Sequence, residues 1–331
     1  MKLNASQLDG IVHNALSTAY DENGGLHFYR FTESQRETYA AESADWVKKT
    51  LSGASVTLDF LTDSDFITLK FDLFPGSSQK WGSIDLYVDG VFYADRYAAD
   101  LSIKLAGFDL PAGQHRVTVY LPWSAETVLH EVHLSDGATV LPVKRSCKLL
   151  CFGDSITQGY LTKFTSLSYV NQTARALDAE VVNQGIGGYI FNDATLDESI
   201  CAYQPDLITV AYGTNDYSHY ETAEEYGEHS GRYIRKLAAL FPDTKIVGIL
   251  PLYRNDENHQ ARKKYRAYSL DDVRQVLQDQ YAALPHGYVI RETGIPHIPQ
   301  AYAADYLHPN EFGFSVMSRE IIRQLQEILA K

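Results

Sequence analysis

Near Lys144 the period of the hydropathy pattern changes, and that change constrains the fold more than any single motif. Before it, apolar and polar residues alternate. In Phe66–Phe74, Ile67, Leu69, Phe71 and Leu73 fall on one face while Thr68, Lys70 and Asp72 fall on the other, as in a half-buried strand. Ser83–Asp89 repeats this with Ile84, Leu86 and Val88 inward, and Asp89-Gly90 supplies a hairpin turn. Strands also fit Ser102–Leu105, His115–Leu121 and Val128–Leu134, with Pro111 to Gly113 as a turn. Short alternating strands at this spacing predict an antiparallel sandwich that ends near Pro142. Ahead of it, Leu8, Ile11, Val12 and Leu16 at helical spacing predict a short amphipathic helix within residues 5–20.

After Lys144, apolar runs at 149–152, 180–182, 207–211, 246–250 and 288–290 alternate with helical stretches. Those stretches lie near 168–177, 193–203, 222–240, 270–283 and 311–329. Strand–helix alternation implies parallel βαβ units and a sheet covered on both faces. The expected architecture is therefore α/β preceded by a smaller all-β unit, divided into residues 1–143 and 144–331. At 331 residues the chain is long enough to bury two cores.

A net charge of −13 argues against nucleic acid and against an anionic membrane surface as partners. No apolar run approaches the length of a membrane span, and the first residues lack the apolar core of a leader peptide. Cys147, Cys151 and Cys201 have no metal-ligand spacing and read as free thiols in a reducing compartment. These features predict a cytoplasmic protein with neither metal nor organic cofactor. They are compatible with a homo-oligomer.

Lys148 to Gly159 carries the first chemical signal. Leu149–Phe152 is a buried-strand run, and Asp154, Ser155 and Thr157 follow Gly153 where the chain turns into a helix. A serine at a strand-to-helix turn has a reachable hydroxyl and a backbone N–H at a helix start, as an acyl-transfer nucleophile requires. The same stretch also suits a helix cap or a phosphate-binding turn, so by itself it does not choose. It is not Gly-x-Ser-x-Gly, which removes the α/β-hydrolase nucleophile elbow.

In open α/β sheets, ligands sit beyond the carboxyl ends of the strands. Ser155 follows the first such strand, Asn183-Gln-Gly-Ile-Gly-Gly188 the second, Gly213-Thr-Asn-Asp216 the third, and Asp305-Tyr-Leu-His-Pro309 precedes the last helix. Asp-x-x-His occurs three times, as Asp216/His219, Asp256/His259 and Asp305/His308. Asp256/His259 lies in the polar stretch Arg254–Lys264 and reads as a solvated loop. Asp216/His219 also follows a strand and competes. Asp305/His308 is preferred because Pro309 stiffens its turn and Asn310 or Asp305 can cap the final helix.

These blocks, in this order over about residues 147–330, resemble those of the SGNH (GDSL) hydrolase family. The resemblance implies a flavodoxin-like three-layer α/β/α esterase domain with Ser155 as nucleophile, His308 as base and Asp305 orienting it. It implies an oxyanion hole of the Ser155 N–H, Gly188 and Asn215. Ser83-Ile-Asp-Leu-Tyr87 and Tyr120-Leu-Pro-Trp123 are similar to elements of the jelly-roll-like β-sandwich found ahead of some SGNH esterases. That branch implies a short-chain acyl ester, acetyl foremost, of a carbohydrate, with Tyr160, Tyr189, Tyr217, Trp81 and Trp123 as candidates to stack on sugar rings. A lysophospholipase or longer-chain acylhydrolase, or an inactive carbohydrate-binding protein, are the alternatives.

Overall fold

The computed structural model describes residues 1–254 and 268–330. Its organising element is the strand Cys147–Gly153, whose apolar run Leu149–Phe152 is buried throughout. This strand pairs in parallel with Ala179–Gly185 on one side and Leu207–Ala211 on the other. Lys245–Ile249 and Gly287–Ile290 extend the sheet beyond Leu207–Ala211. Among the described residues the sheet has five strands, with the second in sequence at one edge and the first beside it. Helices Tyr169–Ala176 and Glu311–Leu329 cover the face carrying Leu149, Cys151, Val181 and Val247. Ala223–Leu240 and Leu270–Ala282 cover the face carrying Leu150, Phe152, Val182 and Ile208. Side chains alternate across the pleat, so a strand apolar at every position needs cover on both sides.

The alternating region forms two antiparallel sheets. One runs Val12–His13, Thr57–Thr62, His115–Tyr120, Gly82–Val88, Val91–Ala98, and the other Ser17–Tyr20, Leu26–Tyr29, Ala125–Leu134, Phe66–Pro75, Leu105–Asp109. Leu58, Phe60, Ile84, Leu86, Val117 and Val119 of the first pack with Leu26, Ile67, Leu69, Phe71 and Val132 of the second. Asp89 and Gly90, with φ of 49° and 79°, make the expected tight hairpin.

Several elements differ from the sequence expectation. The helix expected within residues 5–20 is only Ala5–Asp9, closed by a capping box between Asn4 and Gln7. Asn14, at φ 68°, then turns the chain, and strands Val12–His13 and Ser17–Tyr20 occupy the rest. The stretch 193–203 is two 3₁₀ turns, Asp193–Thr195 and Glu198–Ala202, because Asn192 and Asp197 each cap their own piece. The strand placed at Ser102–Leu105 begins only at Leu105, after Leu101 at φ 61°. Helices Glu33–Glu42 and Ala44–Thr50 and the exposed edge strand Val91–Ala98 were not expected. None of the three shows a strong apolar period.

The all-β part is joined to the parallel sheet by buried polar contacts. The edge strand Ala179–Gly185 would otherwise present unpaired backbone groups. The Val181 N–H donates to Asn14 Oδ1 at 2.8 Å, and buried Arg30 donates to the Asn183 carbonyl. Gln35 and Gln184 exchange amide hydrogen bonds at 2.8 and 2.9 Å. The outward face of Gly82–Val88 is buried as well, since Ser83, Asp85 and Tyr87 turn toward residues after Lys144. No helix among the described residues is long and apolar enough to cross a membrane.

Candidate active site

Strand register sets the site. Gly153 lies opposite Gly185 on one neighbour and Ala211 on the other, so three strands end level. The residues just beyond them, Ser155, Gly187, Gly188 and Asn215, therefore emerge at one rim and line one cleft of about 290 Å³. Gly153 is required at the turn, because a Cβ there would stand 2.0 Å from Thr157 Oγ1 and 2.9 Å from the Ala211 carbonyl. Asp154 caps the one-turn helix Ser155–Gln158, accepting the Ile156 N–H at 2.9 Å. Burial pushes its carboxyl up to about 6, against the hydrogen bond from Ile156 and the nearby His308. The cap and the cleft-lining hydroxyl thus fall on different residues.

Ser155 Oγ lies 2.7 Å from His308 Nε2, and His308 Nδ1 lies 2.6 Å from Asp305 Oδ2. Asp305 Oδ1 accepts the Leu307 and His308 N–H groups at 3.0 and 3.1 Å. Burial would raise this carboxyl, but the hydrogen bond and charge of His308 and the two N–H donors bring it down to about 2. Near neutral pH it is therefore a carboxylate. The loop is pinned by the Ala303 N–H on the His308 carbonyl at 2.8 Å and by Asn310, which caps the last helix through the Gly313 N–H.

Ser155, Gly188 and Asn215, the three residues expected to supply oxyanion donors, all line the cleft. Ser155 is the first residue of its helix, where N–H groups lack an intrahelical acceptor. Gly188 adopts φ 87°, and the neighbouring Gly187 N–H is already given to Gln158 Oε1 at 2.8 Å. Asn215 lies in the first turn of the helix Thr214–His219 and is oriented by one hydrogen bond from its Nδ2 to the Tyr189 carbonyl at 3.0 Å.

Of the five aromatic residues, only Tyr160 lines the cleft, its ring centroid 4.6 Å from that of His308. Its hydroxyl is held by Ser78 and Gln79, each at 2.9 Å. Two candidates are corrected. Trp123 is only 1% exposed, with Nε1–H bonded to the Thr162 carbonyl at 2.8 Å. Tyr189 is 3% exposed, packed edge-on against Tyr39 and Trp46 with its hydroxyl on Glu42. Both are core residues of the junction, because a ring this well enclosed has no free face for a sugar. Trp81 packs edge-on against Trp123, half-buried, with its Nε1–H on Gln79 Oε1 at 3.2 Å. Tyr217 packs edge-on against Tyr268, away from the cleft lining.

The competing pair Asp216/His219 is not coupled in this way. Asp216 is buried and accepts the Phe191 and Gly213 N–H groups with its two oxygens, at 2.9 and 3.0 Å. His219 lies against Tyr220 and lines a neighbouring groove with Trp46 and His229. Asp256 and His259 lie outside the described residues. Among the described residues no group of three or more His, Cys, Asp or Glu is placed to hold a metal ion.

Lys49, Ser77, Ser78 and Gln158 also line the cleft and were not anticipated. Gln158 had a readable signal, since it lies three residues after Ser155 and so on the same helix face. The other three come from far up the chain, where no local pattern marks them.

A parallel sheet in the order 2-1-3-4-5 with helices on both faces is a three-layer α/β/α fold of the flavodoxin-like kind, and a serine, a histidine and a carboxylate converge at its carboxyl edge. Residues 151–316 match the GDSL-like lipase/acylhydrolase family, and the chain belongs to that family. An acetylxylan esterase/glucomannan deacetylase of Cellvibrio japonicus (strain Ueda107) is 28% identical over 259 residues, covering 66% of this chain and 68% of that protein. The fold is shared with the salicylyl-acyltransferase SsfX3 from a tetracycline biosynthetic pathway, at TM-score 0.79 and 19% identity over 96% of this chain and 94% of that one. It is shared too with a family two carbohydrate esterase from Cellvibrio japonicus, at TM-score 0.66 and 20% identity over 100% and 98% of the two chains.

Proposed function

We propose that this hydrolase removes short acyl groups, acetyl foremost, from a carbohydrate through an acyl-enzyme on Ser155. The observation that carries the reading is the Ser155–His308–Asp305 relay opening into a small cleft beside Gly188 and Asn215. Asp305, an anion, holds the proton of His308 on Nδ1 and leaves Nε2 to take the Ser155 proton. Oγ then attacks the acyl carbon, and the imidazolium forms against a carboxylate 2.6 Å away. The Ser155 and Gly188 N–H groups and the Asn215 amide meet the oxyanion. His308 returns its proton to the leaving alcohol, and water resolves the acyl-enzyme by the reverse path.

A short acyl group is supported by the cleft itself. Its volume of about 290 Å³ is at the small end for ligand sites, and its lining is polar or glycine apart from the Tyr160 ring. A carbohydrate is supported by the deacetylase relative. In this reading residues 144–331 are the catalytic domain and residues 1–143 a sandwich domain seated on it. The test is turnover of nitrophenyl esters from acetate to octanoate and of acetylated oligosaccharides, with Ser155→Ala as the blank. Specificity constants that rise toward octanoate would reject the short-acyl claim. Undiminished turnover by Ser155→Ala would reject the nucleophile.

A further inference from the structure

We infer that Lys49, contributed by the region ahead of the parallel sheet, is a positioning residue for the oxyanion donor Gly188; the inference rests on the esterase reading above. Lys49 Nζ donates to the Gly187 carbonyl at 2.9 Å. That carbonyl and the Gly188 N–H belong to one peptide unit. The unit is planar and trans, so fixing its oxygen on one side fixes its N–H on the other. A cation on the oxygen also draws electron density from the nitrogen, which makes the N–H a stronger donor.

The ammonium is itself held in place. Asp45 Oδ2 lies 2.9 Å from Nζ, the Trp46 ring lies beneath it at 4.3 Å, and the side chain is only 12% exposed. The same indole closes over Gly188, where an added Cβ would sit 3.5 Å from Trp46 Cη2. Asp45, Trp46 and Lys49 all lie on the helix Ala44–Thr50. Gln158 grips the other end of the turn, accepting the Gly187 N–H at 2.8 Å while its Nε2 faces Ser52 Oγ and the Gly76 and Trp123 carbonyls, each at 3.2 Å. Both polar groups of Gly187 are therefore fixed by residues that residues 1–143 supply or hold. Glycine has the widest choice of backbone conformations, and an oxyanion donor works only if it does not reorient during the reaction.

The experiment compares Lys49→Met, Lys49→Gln and Lys49→Arg in the full chain with 4-nitrophenyl acetate, a neutral ester that offers Lys49 no charge to read. In Lys49→Met, kcat falls about tenfold or more, less than the 10²–10³ that loss of a whole donor costs, while KM stays within about twofold. Affinity for a boronic acid, which forms a tetrahedral anion on Ser155, falls by a similar factor. Lys49→Arg restores most of both. Should Lys49→Met fail to fold, Lys49→Gln keeps an N–H donor without the charge and takes its place with the same expected split. Wild-type kcat in the neutral variants overturns the inference, as does a loss confined to KM. Ser155→Ala separates the two claims: if it is inactive while the Lys49 variants run at full rate, only this inference falls. If it stays active, the esterase reading falls as well.

Discussion

Asp85, on the strand Gly82–Val88, accepts the Ser166 N–H through Oδ2 at 2.9 Å and so ties the antiparallel sandwich to the loop that follows the Ser155 helix. Ser83 Oγ donates to its other oxygen at 2.6 Å. The carboxyl is fully buried, and burial outweighs these hydrogen bonds and pushes it up to about 6. A carboxyl raised in the folded state is protonated there while the unfolded chain is already ionised. Its contribution to stability is thus complete below about pH 4 and declines as pH rises through about 6. Asp85→Asn removes the titration. The variant's stability relative to wild type should rise between pH 4 and 6, by about 3 kcal/mol for two pK units, and then level off. Urea unfolding at four pH values across that window checks it. A pH-independent difference would mean that Asp85 is ionised in place.

How far the chain could be read follows from how local each signal was. The parallel sheet was legible because its strands are continuous apolar runs, and their level ends made the rim legible too. The helices Glu33–Glu42 and Ala44–Thr50 were not, because both read as polar, and the buried Gln35 and Tyr39 of the first pack on a sheet that begins about a hundred residues later. Trp123 and Tyr189 were misread for a related reason. An aromatic ring beside a motif can line a cleft or close an interface, and only the partner decides. Here Thr162 and Glu42 claim their polar ends.

The two Asp–His pairs predict opposite phenotypes. His308→Ala and Asp305→Asn should each lower kcat on 4-nitrophenyl acetate by roughly 10⁴ or more, because one removes the base and the other lets the imidazole take the wrong tautomer. His219→Ala should leave kcat on that small ester within about twofold, since its ring lies in the neighbouring groove. A dead His219→Ala beside an active His308→Ala would transfer the assignment. Asp216→Ala should instead unfold the rim, because it strands the Phe191 and Gly213 N–H groups.

Trp123→Ala should act on stability rather than on substrate. The ring is buried against Trp81 and Tyr160 at centroid distances of 5.3 and 5.4 Å, and its main chain holds Thr165 and Gln158. A cost of about 3–5 kcal/mol is expected, as for other large aromatic truncations in a core. Denaturant unfolding measures it. If stability is unchanged and KM for an acetylated oligosaccharide rises, the ring is a sugar platform after all.

Tyr160 should govern acyl length. Its hydroxyl is fixed by Ser78 and Gln79, which holds the ring against His308 and closes that wall of the cleft. Wild type should therefore prefer acetyl to hexanoyl and octanoyl esters, whose longer tails would meet that ring. Tyr160→Ala opens the wall and frees the imidazole ring on one face. Acetate turnover should fall, because His308 loses its packing partner. The ratio of octanoate to acetate specificity constants should rise about tenfold or more, as two buried methylene groups at about 0.8 kcal/mol each would give. Tyr160→Phe keeps the ring, loses both hydrogen bonds and should keep the wild-type order of chain lengths. If Tyr160→Ala lowers every ester by the same factor, the ring serves His308 alone and the acyl group lies against another wall.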